Sequence, residues 1–427
     1  MKKKVAYLGL TALCLGALAA CGSSNKKNNT DAEHVKINIW ATAKEEAVIK
    51  TVVDKYNAAN PNNKFTYKFS AVAEGDCGTT LSKDPTVEGA PALFLVADDH
   101  IPSLVSKDIV SEIKGSRKDK VVNNTLSPAV AGATYNDKLW GYPVTNDNGY
   151  FLWYNKSALT DTQLGSLEDL LAAAKKAGKH VLMDVPNGWY VNSFFMSPEA
   201  CGLSSLAWHT DAEGKSYTET TWDGEMGVKV ATYINSVLQR YYADGTLVIG
   251  GNEVISAGFA DGTMIAAVSG TWMEGDLKAA IADNLAATKL PAYHMDGKAC
   301  QMASFTGSKI YCLNKTRPVA EQKTAADLAA LLTDTDAQLV RFETRQSLPC
   351  NNAATKDKRY TEHTTIGGAA LKMQNQYAAV QAQAAESAYW DIGKAIGQAL
   401  IDGKLPDSAK TWAAYMKAQM DTLRVHK

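Results

Sequence analysis

The sequence predicts an α/β fold in two lobes, and three observations carry that reading. The chain has 427 residues, and at roughly 100–200 residues per domain two lobes are expected. Its first third alternates period-two apolar strands with helical stretches, the strand–helix–strand–helix–strand order of an open sheet with crossover helices. A second block of the same kind follows, and then a C-terminal part that reads as helical throughout, with no internal repeat or coiled coil.

The elements follow in order. Lys2, Lys3 and Lys4 precede an apolar run from Val5 to Ala20 that ends in small residues, the parts of a secretory signal. Cys21 comes directly after them. This arrangement resembles the bacterial lipobox, in which the cysteine is lipidated and becomes the new N-terminus. The run is shorter than the roughly 20 residues that span a bilayer, so residues 1–20 read as a lipoprotein signal peptide and 21–34 as a lipidated tether. From Gly22 to Glu33 the sole apolar residue is Ala32, too little to pay for folding. As a flexible coil this dozen residues reaches about 20 Å.

Val35 to Trp40 alternates as a strand. Glu45 to Asn57 puts Val48, Val52, Val53 and Tyr56 on one helical face, and Asn60-Pro61 ends it. Phe65, Tyr67 and Phe69 mark a second strand, and Pro91 to Ala97 reads as a buried parallel strand bounded by Asp98 and Asp99. Ligands of open α/β sheets bind beyond the carboxyl ends of the strands, where Trp40 to Glu46 and Asp98 to His100 fall. Ser166-Leu167-Glu168-Asp169 opens a helix like a capping box, His180 to Val185 is a strand, and Val228 to Tyr242 is a helix by pattern. Gln376 to Ile401 reads as a helix with Ile392, Ile396 and Leu400 in register. Trp412, Met416, Met420 and Leu423 line another.

Composition narrows the function classes. Lysine and arginine number 44 against 45 aspartates and glutamates, for a formal net charge of −1, and loss of the three signal lysines takes it to −4. A mildly acidic chain gives no reason to propose nucleic acid as a partner. Beyond the signal and lipid cysteines, Cys77, Cys201, Cys300, Cys312 and Cys350 remain, an odd number that cannot all pair within one molecule. No Cys/His cluster suggests a metal, and no cofactor is expected. Cys300 and Cys312 flank Phe305-Thr306-Gly307-Ser308, a turn that would set them opposite each other as a disulfide. Free buried thiols are the alternative.

Phe259-Ala260-Asp261-Gly262 followed by Thr263 to Thr271 and Trp272 is the most specific motif: a helix stopped by Gly262, a buried strand, and a glycine turn presenting a tryptophan. It resembles the signature of extracellular solute-binding proteins of sugar ABC importers, the maltose-binding-protein-like family. The resemblance continues in order along the chain. It takes in Pro91 to His100, Trp140-Gly141-Tyr142-Pro143, Tyr154-Asn155-Lys156, Asn187-Gly188-Trp189-Tyr190 and Ser387-Ala388-Tyr389-Trp390. It implies a two-lobed fold of the periplasmic-binding-protein type II class with a ligand cleft at the hinge. Residues 35–145 and 300–345 would form the first lobe, and 146–299 and 346–427 the second.

The same resemblance implies the site. Trp272, Trp390, Trp189 and Tyr190 would be sugar platforms, since an indole π face matches the slightly positive C–H face of a pyranose. Asp99 would take sugar hydroxyls, and one of Asp147 and Asn148 would face the cleft, the stretch 145–150 being a residue longer than the family pattern. Asp98 either joins Asp99 or caps the following helix. Maltose binders often carry tryptophan where Val96 stands, His100 reads as a surface residue, and Trp40 as structural. The implied function is non-catalytic: capture of an oligosaccharide, a maltooligosaccharide first, by a monomer lipid-anchored to the outer face of the cell membrane, for delivery to an ABC permease. Another glycan, a peptide, a polyamine or a metal is the alternative within the binding class. A lipid-anchored glycoside hydrolase would need two carboxylates roughly 5–10 Å apart, and no motif fixes such a pair.

Overall fold

The computed structural model describes residues 34–196, 201–203, 207–210, 216–363, 365–381, 387–405 and 408–424. Cys21, its signal and its tether lie outside the described residues. The chain first lays down β1 (Ile37–Ala41), α1 (Glu46–Ala59), β2 (Tyr67–Ala71), α2 (Glu74–Lys83) and β3 (Leu93–Ala97), then β4 (Tyr142–Thr145). Next come β5 (Phe151–Asn155), α3 (Leu167–Ala177), β6 (His180–Leu182), α4 (Gly188–Phe195), α5 (Glu225–Ala243), β7 (Leu247–Val248), α6 (Asn252–Ala260), β8 (Met264–Ser269) and β9 (Leu285–Thr288). The last elements used below are β10 (Ser304–Thr306), β11 (Lys309–Leu313), α7 (Val319–Leu332), α8 (Thr335–Arg345), β12 (Ala378–Val380), α9 (Ser387–Ile401) and α10 (Ala409–Arg424).

These strands form two five-stranded sheets, ordered β2-β1-β3-β11-β4 and β7-β6-β8-β5-β9. In the first, β1 pairs parallel with β2 and β3, as the βαβ order requires, while β11 enters antiparallel between β3 and β4. In the second, β6 pairs parallel with β7 and β8, and β5 runs antiparallel to β8 and β9. The first sheet packs α1, α2 and α7 around Ile39, Val48, Ile49, Leu81, Phe94 and Leu328. Both faces of the second sheet are covered. Tyr150 and Leu152 enter one core and the alternate residues Phe151 and Trp153 enter another, the period of two of a strand buried on both sides.

Local chemistry explains several boundaries. Ser166 caps α3, its hydroxyl accepting from the Asp169 N–H at 3.0 Å. Gly262 follows α6 at φ +73°, a left-handed conformation that glycine adopts without strain. Trp412, Met416, Met420 and Leu423 are buried along α10, each worth about 1.5–3 kcal/mol when removed from water.

Three expectations are corrected. Of the stretch read as one helix from Gln376, Ser387–Ile401 is helical, while Ala378–Val380 is β12, paired parallel with β10. The alanine-rich stretch has helix propensity, but the neighbouring strand supplies the pairing that decides it. Cys300 is bonded to Cys201, while Cys312 is a buried free thiol, as are Cys77 and Cys350. The intervening turn is a crossover between the two sheets: Cys300 belongs to the core of the second, and Cys312 lies on β11 in the first. The domain boundaries move for the same reason. Cys300, Met302, Ala303 and Phe305 pack in the second core rather than the first. Beyond α8, Thr335 Oγ1 bonds Asn351, Cys350 O accepts from the Leu126 N–H, and Arg359 pairs with Asp336, so residues 350–359 stay with the first lobe.

Candidate functional site

The carboxyl ends of the two sheets face one cleft of about 1040 Å³. The first lobe contributes Thr42, Ala43 and Lys44 after β1, Glu74 and Asp76 at the start of α2, and Asp99 and His100 after β3. The second contributes Asp184, Trp189 and Tyr190 around the start of α4, Trp272 after β8, and Trp390, Asp391 and Lys394 from α9. All but Lys394, which lies midway along α9, come from a strand end or the first turns of a helix, where side chains project past the sheet.

The aromatic wall is one assembly. Asn187 caps α4, accepting from the Trp189 N–H at 2.9 Å, and so turns Trp189 and Tyr190 toward the cleft. Helices α4 and α9 come together at their glycines: a Cβ added to Gly393 would lie 2.6 Å from the Gly188 Cα. That approach seats Trp390 against Gly188, the residue before Trp189. The Trp189 and Trp272 rings are 5.9 Å apart and tilted by 34°, while Tyr150 packs edge-on against Trp189 and Tyr190. The indole N–H of Trp272 donates to Asn252 Oδ1 at 3.2 Å, and the Lys309 ammonium sits 5.5 Å above the Trp272 ring. Burial pushes the Tyr190 phenol above its ordinary range against the Ser269 hydroxyl, which lowers it.

The opposite wall is polar. Asp99 Oδ1 accepts from the Gln381 amide at 2.8 Å, and the Asn148 amide donates to Gln381 Oε1 at 2.9 Å. Lys309 pairs with Glu74 at 3.6 Å. Beneath this wall Glu45 is fully buried, bound by the guanidinium of Arg341 at 3.0 and 2.9 Å, by Arg345, and by the Tyr311 hydroxyl at 3.0 Å. Burial raises the Glu45 carboxyl, but the charges of Arg341 and Arg345 outweigh it and hold it at about 2.

Trp272, Trp390, Trp189, Tyr190, Asp99 and Asn148 thus converge on the cleft, whereas Asp98 and Asp147 do not line it. Asp147 Oδ2 accepts from the Thr271 hydroxyl and the Leu348 N–H, and Asp98 Oδ2 from the Ser308 N–H at 2.8 Å. Both fasten crossovers. The two crossings themselves are joined where the Asn148 N–H donates to Gly307 O at 3.1 Å and the Ser308 hydroxyl bonds Asn146 Oδ1. Nor does Asp98 cap the following helix with its side chain. Burial, then the charge of Asp99, pushes its carboxyl well above the usual range. His100 is a cleft residue rather than a surface one, seated against Gly78, where a Cβ would come within 2.3 Å of its Nδ1. Val96 and Trp40 are buried in the first core. Sequence reading missed Lys44, Lys309, Arg345 and Gln381. It missed Asp391 and Lys394 as well, although their place one and four residues past Trp390 on the same helix is a signal that could have found them.

The family model for bacterial extracellular solute-binding proteins matches residues 51–368. The chain belongs to this family. No curated protein matches it significantly. Among solved structures, this solute-binding protein resembles one determined with acarbose, at 24% identity and a TM-score of 0.77 over 92% of this chain and 99% of the other. It also resembles the GacH receptor of Streptomyces glaucescens GLA.O, at 18% identity and a TM-score of 0.73 over 92% and 99%. The maltodextrin-binding protein MalE1 of L. casei BL23 is similar at 19% identity and a TM-score of 0.72 over 91% and 99%. The fold is the two-lobed one of maltose-binding proteins. Among the described residues no His, Cys, Asp or Glu cluster could hold a metal, and no helix is long and apolar enough to cross a membrane.

Proposed function

We propose that this solute-binding protein captures an oligosaccharide, an α-glucan first, between its lobes and hands it to an ABC permease, held at the extracellular face of the cell membrane by lipid on Cys21. One observation carries the sugar reading: Trp189, Tyr190, Trp272 and Trp390 line one side of the cleft, and Asp99, Glu74 and Lys44 the other. Indole and phenol rings offer flat π faces to sugar C–H groups. The facing carboxylates and amines accept from and donate to hydroxyls, and paired hydrogen bonds separate epimers. The maltodextrin and acarbose complexes among the structural relatives add support. Closure on the ligand requires that sugar touch both walls better when the lobes are shut.

The test is a thermal-shift screen against α- and β-linked oligosaccharides, followed by calorimetry. Stabilisation by maltotriose or longer α-glucans is expected, with a shift that grows with ligand concentration. A screen in which peptides or polyamines stabilise and no glycan does would overturn the sugar assignment. Incubation with maltohexaose should return it intact; released products would mean a hydrolase.

A further inference from the structure

Gln381 stands just beyond β12, which pairs with β10 as the chain runs into the Gly307–Ser308 crossover. Its side-chain amide is buried and makes three hydrogen bonds. The nitrogen donates to Asp99 Oδ1 at 2.8 Å. The oxygen accepts from Asn148 Nδ2 at 2.9 Å and from the Trp189 indole N–H at 2.9 Å. The orientation of the amide is set by chemistry, since an indole N–H can only donate and a carboxylate only accepts. One side chain therefore ties a polar residue of the first lobe, a crossover residue and an aromatic residue of the second lobe.

We propose that Gln381 is the positioning residue of the binding site, holding Trp189 and Asp99 at the angle and separation the ligand needs. The inference rests on the sugar-binding reading. An amide is the group this position requires, because one partner demands a donor and the other two an acceptor. A carboxylate can serve Trp189 and Asn148 but faces Asp99 with like charge, and a thioether of similar length offers Trp189 and Asn148 only a weak acceptor and Asp99 no donor. Pre-set side chains spare the ligand the cost of ordering them, so loss of the amide weakens binding even if no sugar atom touches it.

Gln381→Met and Gln381→Glu test this in the full chain, with two readouts. The Trp189 indole N–H resonance, assigned by Trp189→Phe, is followed without ligand, and maltotriose affinity by calorimetry. Gln381→Met is expected to move the indole resonance upfield and to weaken maltotriose on the order of ten-fold, the scale of one hydrogen bond to a charged group. Gln381→Glu should restore the indole resonance yet still bind weakly, because only the contact with Asp99 is spoiled. An unmoved resonance in Gln381→Met, or an affinity unchanged in both variants, overturns the proposal. If the wild-type protein binds no oligosaccharide, the sugar reading falls, and the resonance alone still decides whether Gln381 orders Trp189.

Discussion

Replacing Trp272 with alanine removes the ring at the centre of the aromatic wall. A pyranose covering about 50 Å² of indole face, at about 25 cal/mol/Å², contributes about 1.3 kcal/mol. The match of C–H edge to π face adds about 0.5–1.5 kcal/mol. The sum is about 2 kcal/mol, roughly a thirty-fold rise in Kd. The fold should tolerate the change. Trp272 is half-buried on a short turn, its indole nitrogen bonds Asn252, and the residues flanking it, Thr271 and Met273, are themselves buried. The loss of stability should stay near 1 kcal/mol. Calorimetry of maltotriose against Trp272→Ala and Trp272→Phe reads the affinities, and thermal melts report the fold. Phenylalanine should recover part of the loss. A Kd for Trp272→Ala within two-fold of wild type, with maltotriose still binding, refutes the stacking argument.

Glu45→Gln takes the counter-charge from buried Arg341 and should cost about 3–5 kcal/mol in urea unfolding. The same ion cluster sets an acid limit. The Glu45 carboxyl titrates at about 2 when folded against an ordinary 4.5, so its contribution is complete above pH about 4.5 and fades as pH falls toward 2. That amounts to about 3 kcal/mol, and urea unfolding of Glu45→Gln across this window should lack that part of the slope. The Cys201–Cys300 disulfide closes a sequence separation of 99. Replacing both cysteines with alanine should lower unfolding free energy by about 2–5 kcal/mol, measured by melting with and without reductant; unchanged melting would mean that the bond is not formed in solution.

Some of the site was written in local pattern. The helix stop at Gly262, the buried run Met264–Ser269 and the turn to Trp272 are set by residues within a few positions of one another, so their reading survived folding intact. Trp189 and Trp390 were pointed out by the family resemblance, and both stand in the first turn of a helix that borders the cleft. The aspartates were less legible. Asp98 and Asp99 are neighbours in the chain, yet one grips the Ser308 backbone and the other lines the cleft. Adjacent residues at a strand end point in different directions, and which of them meets water depends on what packs beside them. Cys300 and Cys312 were misjudged likewise, since spacing along the chain carries no trace of the crossover that separates them.

What the sequence determined by itself was what short-range periodicity governs: the α/β class, the strands β1, β2, β3, β6 and β8, and the helices α1, α3, α5 and α10. What only the tertiary structure decided was the convergence of residues far apart in the chain. Gln381 meets Asp99, Asn148 and Trp189 across separations of 282, 233 and 192 residues, and Glu45 meets Arg341 across 296. Hydrogen bonds and ion pairs of this kind stabilise only after the chain has crossed between the sheets, so no local pattern announces them, and the polar half of the site emerges only with the fold.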